Sequence, residues 1–277
     1  MYVDTHIHFI QPPVANGQDG SEPVAATKSP RRLFADVAGS LAEHGVSACV
    51  AVQAAPTIEE TRFLLGLADA HPTIAAVIGW LNVRSPEFAD DLAHFVGDPR
   101  LKGIRVTVPE LCDETGQPWA GVEHHLDRLS SAGLSLELLV WPGFFERVLP
   151  LLRRHAELPM VVGHLAFDGQ SHARWHRGMT EFAALPKART KISGLITQAE
   201  GLSRERIRAY VADTIDLFGV ERVSFGSDWP VALRGGTYAD VVELFEDTLP
   251  ARLGEDDRER VRANNAATFY GLTVNPA

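Results

Sequence analysis

Two histidines near the start of the chain have the spacing of a catalytic or metal-binding pair. Asp4, His6 and His8 occupy alternate positions, and in an extended strand this alternation would place all three side chains on one side. Farther along the chain, His164 follows a glycine and Asp228 lies in a Gly-Ser-Asp-Trp segment. Neutral imidazoles bind divalent metal ions or donate hydrogen bonds to a polarised carbonyl group, and a nearby carboxylate can take a proton from water. We therefore predict Asp228 as the general base, with the three histidines as its catalytic partners.

The same residues leave the use of a metal open. A single divalent ion such as Zn²⁺ on His6, His8 and Asp228 is one interpretation, since imidazole nitrogen and carboxylate oxygen are zinc ligands. Catalysis without a metal, with imidazoles as hydrogen-bond donors, is the other. A histidine pair without any chemical role is disfavoured, because His164 and Asp228 accompany it.

Further polar and aromatic residues lie at or near the ends of predicted strands and are candidates for substrate contacts. They are Gln53, Trp80, Asn82, Arg105, Glu137 and Ser193. Amide and hydroxyl side chains suit sugar hydroxyls, and the tryptophan suits a planar ring or sugar face. Arg105 suits a carboxylate, which it can bind with two hydrogen bonds. An interior carboxylate needs a partner, so Glu137 either pairs with Arg105 or contacts the ligand.

Eight short apolar runs, with helical patterns between them, provide the elements that would position these residues. The runs are Tyr2 to His6, Ala48 to Gln53, Ala75 to Asn82, Gly103 to Val108, Leu134 to Val140, Met160 to His164, Thr190 to Ser193 and Arg222 to Gly226. Near-continuous apolar strands are typical of a parallel sheet covered on both faces. We predict an α/β fold, a distorted (β/α)8 TIM barrel that forms a single domain over residues 1–277. A doubly wound open sheet is the alternative, but the chain has no Gly-rich phosphate loop.

Start and stop signals mark the helices between the strands. Ser29-Pro30 predicts one helix start and Thr57 to Glu60 a capping box. Later helices are predicted over Val122 to Ala132, Phe144 to His155, Trp175 to Ala184, Ser203 to Phe218, Tyr238 to Thr248 and Asp256 to Phe269. The connection over residues 9–28 is too long for a simple turn, and we expect it to be a mobile lid over the barrel mouth.

Several motifs resemble the amidohydrolase superfamily, and within it the TIM-barrel hydrolases that include sugar lactonases and 2-pyrone-4,6-dicarboxylate lactonase. The motifs are Asp4-x-His6-x-His8, Gly103-Ile-Arg105, Lys191-Ile-Ser-Gly194, Phe225-Gly-Ser-Asp-Trp-Pro230 and Asn265-Ala-Ala-Thr-Phe-Tyr-Gly271. The resemblance spans Val3 to Leu272. It implies that Asp228 activates the hydrolytic water while the three histidines surround the scissile ester carbonyl.

Two positions depart from the pattern of binuclear members of that superfamily. Those members carry a carbamoylated lysine at the end of strand four, whereas Lys102 begins that strand here. Glu137 stands on strand five, where many metal-dependent members have a histidine. Both departures favour at most one metal ion.

The resemblance and the residues together predict a hydrolase that opens a lactone of a sugar acid or of a carboxylated muconolactone or pyrone. A metal-dependent decarboxylase of an aromatic or enoic acid is the first alternative. A barrel that binds a ligand without catalysis is the second, and the intact histidine and aspartate set argues against it.

The composition of the chain excludes several classes of binding partner. The chain has 277 residues and a formal net charge of −10, and it contains no Lys/Arg tract, which argues against nucleic acid and anionic membranes. No apolar run approaches the ~20 residues of a membrane span. Cys49 and Cys112 do not have metal or disulfide spacing, so we expect a cytoplasmic enzyme with a small-molecule substrate.

Overall fold

The computed structural model describes residues 1–11, 31–167, 171–199 and 201–273. Eight strands form one parallel sheet in chain order. They are β1 (Tyr2–Ile7), β2 (Val46–Val52), β3 (Ile74–Gly79), β4 (Leu101–Thr107), β5 (Ser135–Leu139), β6 (Met160–Val162), β7 (Ala188–Ile192) and β8 (Val223–Phe225). The predicted (β/α)8 barrel is confirmed, with strand ends shifted by a few residues.

The barrel closes unevenly between β8 and β1. Instead of a regular ladder, the residues that follow β8 bond to β1: the Asp228 amide donates to the His6 carbonyl (2.8 Å) and the His8 amide donates to the Trp229 carbonyl (2.7 Å). Ile7 and Trp229 form an isolated parallel bridge. The closing contacts therefore lie at the carboxyl end of the barrel, where they join two segments that carry candidate catalytic residues.

Helices cover the outside of the sheet. They are α1 (Ala38–Glu43), α2 (Ile58–Ala70), α3 (Phe88–Phe95), α4 (Val108–Leu111), α5 (Val122–Ser131), α6 (Phe145–Arg154), α7 (His172–Ala183), α8 (Arg204–Phe218), α9 (Tyr238–Thr248), α10 (Glu255–Glu259) and α11 (Asn265–Tyr270). The predicted capping box at Thr57 is confirmed as a cap, since its side chain accepts a hydrogen bond from the Glu60 amide. The helix predicted over Asp256 to Phe269 consists of α10, a π-helical turn over Arg260–Asn264, and α11.

Two hydrophobic layers hold the fold together. The larger layer lies between the sheet and the helices, and the smaller one fills the barrel interior. Val3, Val50 and Ile78 from the first strands pack there against Ala266 and Tyr270 of α11. The last helix therefore contributes directly to the barrel interior.

Part of the predicted lid and the helix start at Ser29-Pro30 lie outside the described residues. Of the segment 9–28, the structure describes only residues 9–11: Phe9 is buried in the core, and Ile10 pairs with Arg32. The lid stays a prediction.

Candidate active site

A bulge in β1 determines which of its side chains face the barrel interior. Asp4 lies opposite Cys49 and Ile7 lies opposite Ala51, so β1 advances three residues while β2 advances two. The extra residue reverses the alternation of side chains beyond it. Asp4 and Ile7 both face outward, and His6 turns inward.

The prediction that Asp4 shares one face with the two histidines is therefore wrong. Its carboxylate accepts hydrogen bonds from the amides of His6 (3.1 Å) and Ser227 (2.9 Å) and from the hydroxyl of Tyr238 on α9 (3.0 Å). Buried carboxylates need such partners. Asp4 thus links the bulge to the segment after β8, and it stands outside the catalytic cluster.

His6 and His8 meet inside the barrel mouth. Their Nε2 atoms are 3.2 Å apart, and Nδ1 of His8 lies 2.8 Å from the Val52 carbonyl oxygen. A carbonyl only accepts, so Nδ1 of His8 carries a proton and donates it to Val52, and Nε2 faces the site. Burial, together with the positive charges that surround it, lowers the pKa of His6 well below its ordinary value, so His6 is neutral at pH 7.

Asp228 lies among three imidazoles. Its Oδ1 is 3.4 Å from Nε2 of His8 and 3.9 Å from Nε2 of both His6 and His164. Burial alone would raise the pKa of Asp228, but the neighbouring imidazoles of His164 and His8 and the positive guanidinium of Arg105 outweigh it and lower the pKa. Asp228 is therefore ionised at neutral pH, and Arg105 is the permanently charged member of that set.

The backbone at two of these residues adopts a conformation that most side chains avoid. His164 and Asp228 have φ angles of 55° and 60°, in the left-handed region. Residues held in this way are concentrated at active sites, where the surrounding structure enforces them. Aspartate accepts this conformation more readily than most residues, so a short carboxylate suits the turn after β8.

Ser193 holds His164 in place. Its hydroxyl oxygen accepts a hydrogen bond from the His164 amide (3.1 Å) and lies 3.0 Å from Nδ1 of the ring. A Cβ atom at Gly194 would lie 2.8 Å from the same Nδ1, so this ring needs a glycine beside it. Ser193 was predicted to contact substrate, and the structure places it as a support for His164 instead.

The donor set fits one divalent metal ion. His6, His164 and Asp228 are buried and offer ligand atoms within 4.8 Å of one another, and no other such group occurs among the described residues. Two ligand atoms of one tetrahedral zinc lie about 3.4 Å apart, close to the 3.4–3.9 Å between Asp228 and the imidazoles. Nδ1 of His6 and Oδ2 of Asp228 are buried without a hydrogen-bond partner in the described chain. His164 therefore takes the place of His8 in the predicted ligand set of His6, His8 and Asp228.

A cavity of about 250 Å³ opens directly onto the catalytic cluster. It is lined by His8, Ile10, Ala54, Arg105, Leu139, Trp141, His164, Gln198, Asp228, Val231 and Arg234. A second cavity, of about 460 Å³, shares Ala54, Arg105 and Leu139 with the first and adds Gln53 and Trp80. A third cavity, of about 680 Å³, lies beside the first and shares Gln198, Val231 and Arg234 with it. Together the cavities form the barrel mouth.

Three of the predicted substrate-binding residues line the second cavity. Oε1 of Gln53 is buried without a partner among the described residues, and Nε1 of Trp80 donates to Glu110 (2.7 Å). Arg105 makes one hydrogen bond within the described structure, to the Gln53 carbonyl oxygen (3.3 Å). Burial lowers the pKa of Arg105 although Asp228, Glu137 and Glu110 act in the opposite direction. Its charge is therefore incompletely compensated by these groups.

Two predicted contact residues lie elsewhere. Asn82 is exposed, and its side-chain oxygen accepts a hydrogen bond from the Arg84 amide, a local turn bond typical of asparagine after a strand. Glu137 is buried and bonded to Lys191, with Nζ–O distances of 2.7 and 2.8 Å. Arg105 lies beside Glu137 in the β4–β5 pairing, but the carboxylate takes its partner from β7. Neither Asn82 nor Glu137 lines the described cavities.

Gln198 and Arg234 line the mouth, and the sequence did not single them out. They follow β7 and β8 in connections without a recognisable motif. Their position after strand ends was the signal that could have found them. Lys102, by contrast, lies at the amino end of β4, as predicted, and no lysine stands at the end of β4.

No helix in the described part of the chain is long and apolar enough to cross a membrane.

Comparisons with known proteins agree with this fold. A model of the amidohydrolase family matches residues 3–272. The chain is 35% identical to an L-fucono-1,5-lactonase of Burkholderia ambifaria, over 98% of this chain and 95% of that protein. A crystal structure of an amidohydrolase from Burkholderia multivorans with bound zinc has a TM-score of 0.85 at 29% identity, covering 99% of this chain and 100% of that one.

More distantly related proteins share this fold. A probable 2-pyrone-4,6-dicarboxylic acid hydrolase from Acinetobacter baumannii is 18% identical and has a TM-score of 0.76 over 98% of this chain and 99% of its own. The barrel, the histidine and aspartate cluster and the match over nearly the whole length agree with the motifs found in the sequence. The chain belongs to the amidohydrolase family.

Proposed function

We propose that this protein hydrolyses a small sugar lactone, with Asp228 as the general base. The observation that carries the proposal is the buried Asp228 carboxylate, whose Oδ2 has no partner in the described chain and which faces a small cavity lined by His8, His164 and Arg105. The likeness to L-fucono-1,5-lactonases supports the substrate class.

The reaction begins at Asp228. Its free oxygen takes a proton from a water molecule in the cavity, and the resulting hydroxide attacks the lactone carbonyl carbon. The positive guanidinium of Arg105, which lines the same cavity and has unused donors in the described structure, stabilises the negative charge that develops on the carbonyl oxygen. The other oxygen of the carboxylate, Oδ1, lies 3.4 Å from Nε2 of His8 and 3.9 Å from Nε2 of His164.

Ring opening completes the cycle. The bond between the carbonyl carbon and the ring oxygen breaks, and Asp228 returns its proton to that oxygen, which leaves as an alcohol. The new carboxylic acid loses its proton to solvent. A divalent ion on His6, His164 and Asp228 would supply Lewis acidity to a bound water or carbonyl group.

The residues that line the second cavity favour a polyhydroxylated substrate. The unpartnered Gln53 oxygen accepts a hydroxyl hydrogen, and the indole of Trp80 provides an apolar wall for a sugar face. Arg105 lies between the two cavities, so a carboxylated lactone is the other class to test.

Lactone opening releases an acid, so a pH-indicator assay tests the proposal. The substrates are L-fucono-1,5-lactone, other sugar lactones, and carboxylated muconolactones and pyrones, each corrected for its spontaneous hydrolysis. We expect the highest kcat/KM with a sugar lactone. Turnover no faster than the blank across all of them would contradict the proposal, and carbon dioxide release from an aromatic acid would replace it with decarboxylation.

A further inference from the structure

Three buried side chains that the proposed reaction does not use form a cluster inside the barrel. Lys191 of β7 donates to both oxygens of Glu137 on β5, and the Tyr270 hydroxyl of α11 donates to Glu137 Oε1 (2.5 Å). Lys191 and Glu137 are 1% and 2% exposed. The cluster thus joins two strands and the last helix across the barrel.

The remaining bond of the lysine reaches the β1 bulge. Lys191 Nζ donates to the Thr5 carbonyl oxygen at 2.7 Å. Thr5 and His6 are the residues of β1 that fall in the gap of its register with β2, between Asp4 and Ile7. A bulged residue is left out of the regular ladder, so its polar groups need other partners. Lys191 supplies one for Thr5.

The same stretch of backbone connects to the general base. The Thr5 hydroxyl donates to the Phe225 carbonyl, and the His6 carbonyl accepts from the Asp228 amide. A displacement of the bulge would therefore move His6 and the turn that carries Asp228 together. Displacements of about 1 Å at reacting groups can reduce a rate by about 10²-fold.

We propose that Lys191 is a positioning residue, which fixes the β1 bulge through the Thr5 carbonyl and so sets the placement of His6 relative to Asp228. The effect on catalysis rests on the proposed lactone hydrolysis. The effect on the bulge does not.

A purely stabilising role makes a different prediction. Replacing both members of a buried ion pair by neutral groups of similar volume is often harmless or stabilising, because the desolvation of two charges offsets their attraction. A pair that serves stability alone can therefore be replaced without loss of rate. A lysine that holds Thr5 cannot.

The test uses the double variant Lys191→Met/Glu137→Gln, in which the Gln side-chain oxygen can still accept from Tyr270. We expect a melting temperature within about 5 °C of wild type, a kcat for L-fucono-1,5-lactone reduced about tenfold or more, and a KM within about twofold. Amide hydrogen exchange over residues 4–8 and 226–229 should become faster. If this variant does not fold, Lys191→Gln/Glu137→Gln, whose amides can bond to each other, is measured for the same changes.

The matched control is Tyr270→Phe, which removes one bond to Glu137 and leaves the Lys191–Thr5 contact. Its kcat should stay within about threefold of wild type. A folded double variant with kcat within threefold of wild type would overturn the proposal, as would a Tyr270→Phe variant as slow as the double variant. Exchange needs no substrate, so unchanged exchange over residues 4–8 overturns it even if the protein opens no lactone.

Discussion

Buried polar groups in the barrel interior have hydrogen-bond partners, whereas several at the barrel mouth have none in the described chain. In the interior, Lys191 and Glu137 bond to each other and to their neighbours. At the mouth, Gln53 Oε1 and Asp228 Oδ2 are buried without partners in the described chain, and Arg105 makes a single hydrogen bond there. Each unsatisfied buried group costs about 1–3 kcal/mol. The difference shows that interior polarity serves the architecture, whereas the polarity of the mouth is available to a ligand.

Breaking the interior pair on one side has the largest expected effect on stability. Lys191→Met leaves the Glu137 carboxylate buried without its cation, so the free energy of unfolding should fall by about 3–5 kcal/mol. Urea titration followed by circular dichroism measures this. A loss below about 1 kcal/mol would show that the pair is not a satisfied interior interaction.

The corresponding change at the mouth should lower activity and leave stability intact. Burial lowers the pKa of Arg105, so its charge is held at a cost, and Arg105→Met should change the free energy of unfolding by less than about 1 kcal/mol. Loss of a charged donor to the reacting carbonyl should reduce kcat/KM about 10- to 100-fold. Arg177→Met, on the exposed face of α7, is the control and should match wild type in both measurements.

The next prediction concerns the number of metal ions bound at the mouth. The described residues form one group of three that could hold an ion, so we expect at most one equivalent per chain by elemental analysis. Chelation should lower the melting temperature if that ion is bound. Two tightly held equivalents per chain would contradict a site for a single ion.

The smallest effects on kinetics should come from two amide side chains, Gln53 and Asn82, that were both predicted to contact substrate. Gln53→Ala removes an acceptor from the second cavity and should raise KM about three- to tenfold. Asn82→Ala removes an exposed turn bond and should leave kcat/KM within about twofold. Steady-state kinetics on the same lactone distinguish them, and equal effects would place both or neither in the substrate site.

The sequence predicted the barrel and brought the histidines and Asp228 to one mouth because those features depend on local pattern. Apolar runs marked the strands, and His164 and Asp228 could be assigned because chemistry-bearing residues at strand ends converge in a barrel. The orientation of Asp4 could not be predicted, because a one-residue bulge is invisible to period-two alternation and reverses every side chain beyond it.

The predicted pairing of Glu137 with Arg105 was wrong for a different reason. Arg105 is its neighbour on the next strand, as expected, but Lys191 reaches it across the barrel interior from β7. Sequence pattern identifies neighbours within a sheet, whereas contacts across a closed barrel depend on side-chain length and tilt.

The general base is the central claim, and Asp228→Asn tests it most directly. Asparagine tolerates the φ of 60° at this position, so the melting temperature should stay within about 5 °C of wild type, as it should for Asp90→Asn on an exposed face of α3. An amide cannot take the proton from water, and kcat on the lactone should fall by about 10²–10⁴-fold, while Asp90→Asn retains full activity. A folded Asp228→Asn variant that keeps more than about a tenth of the wild-type rate would contradict the account.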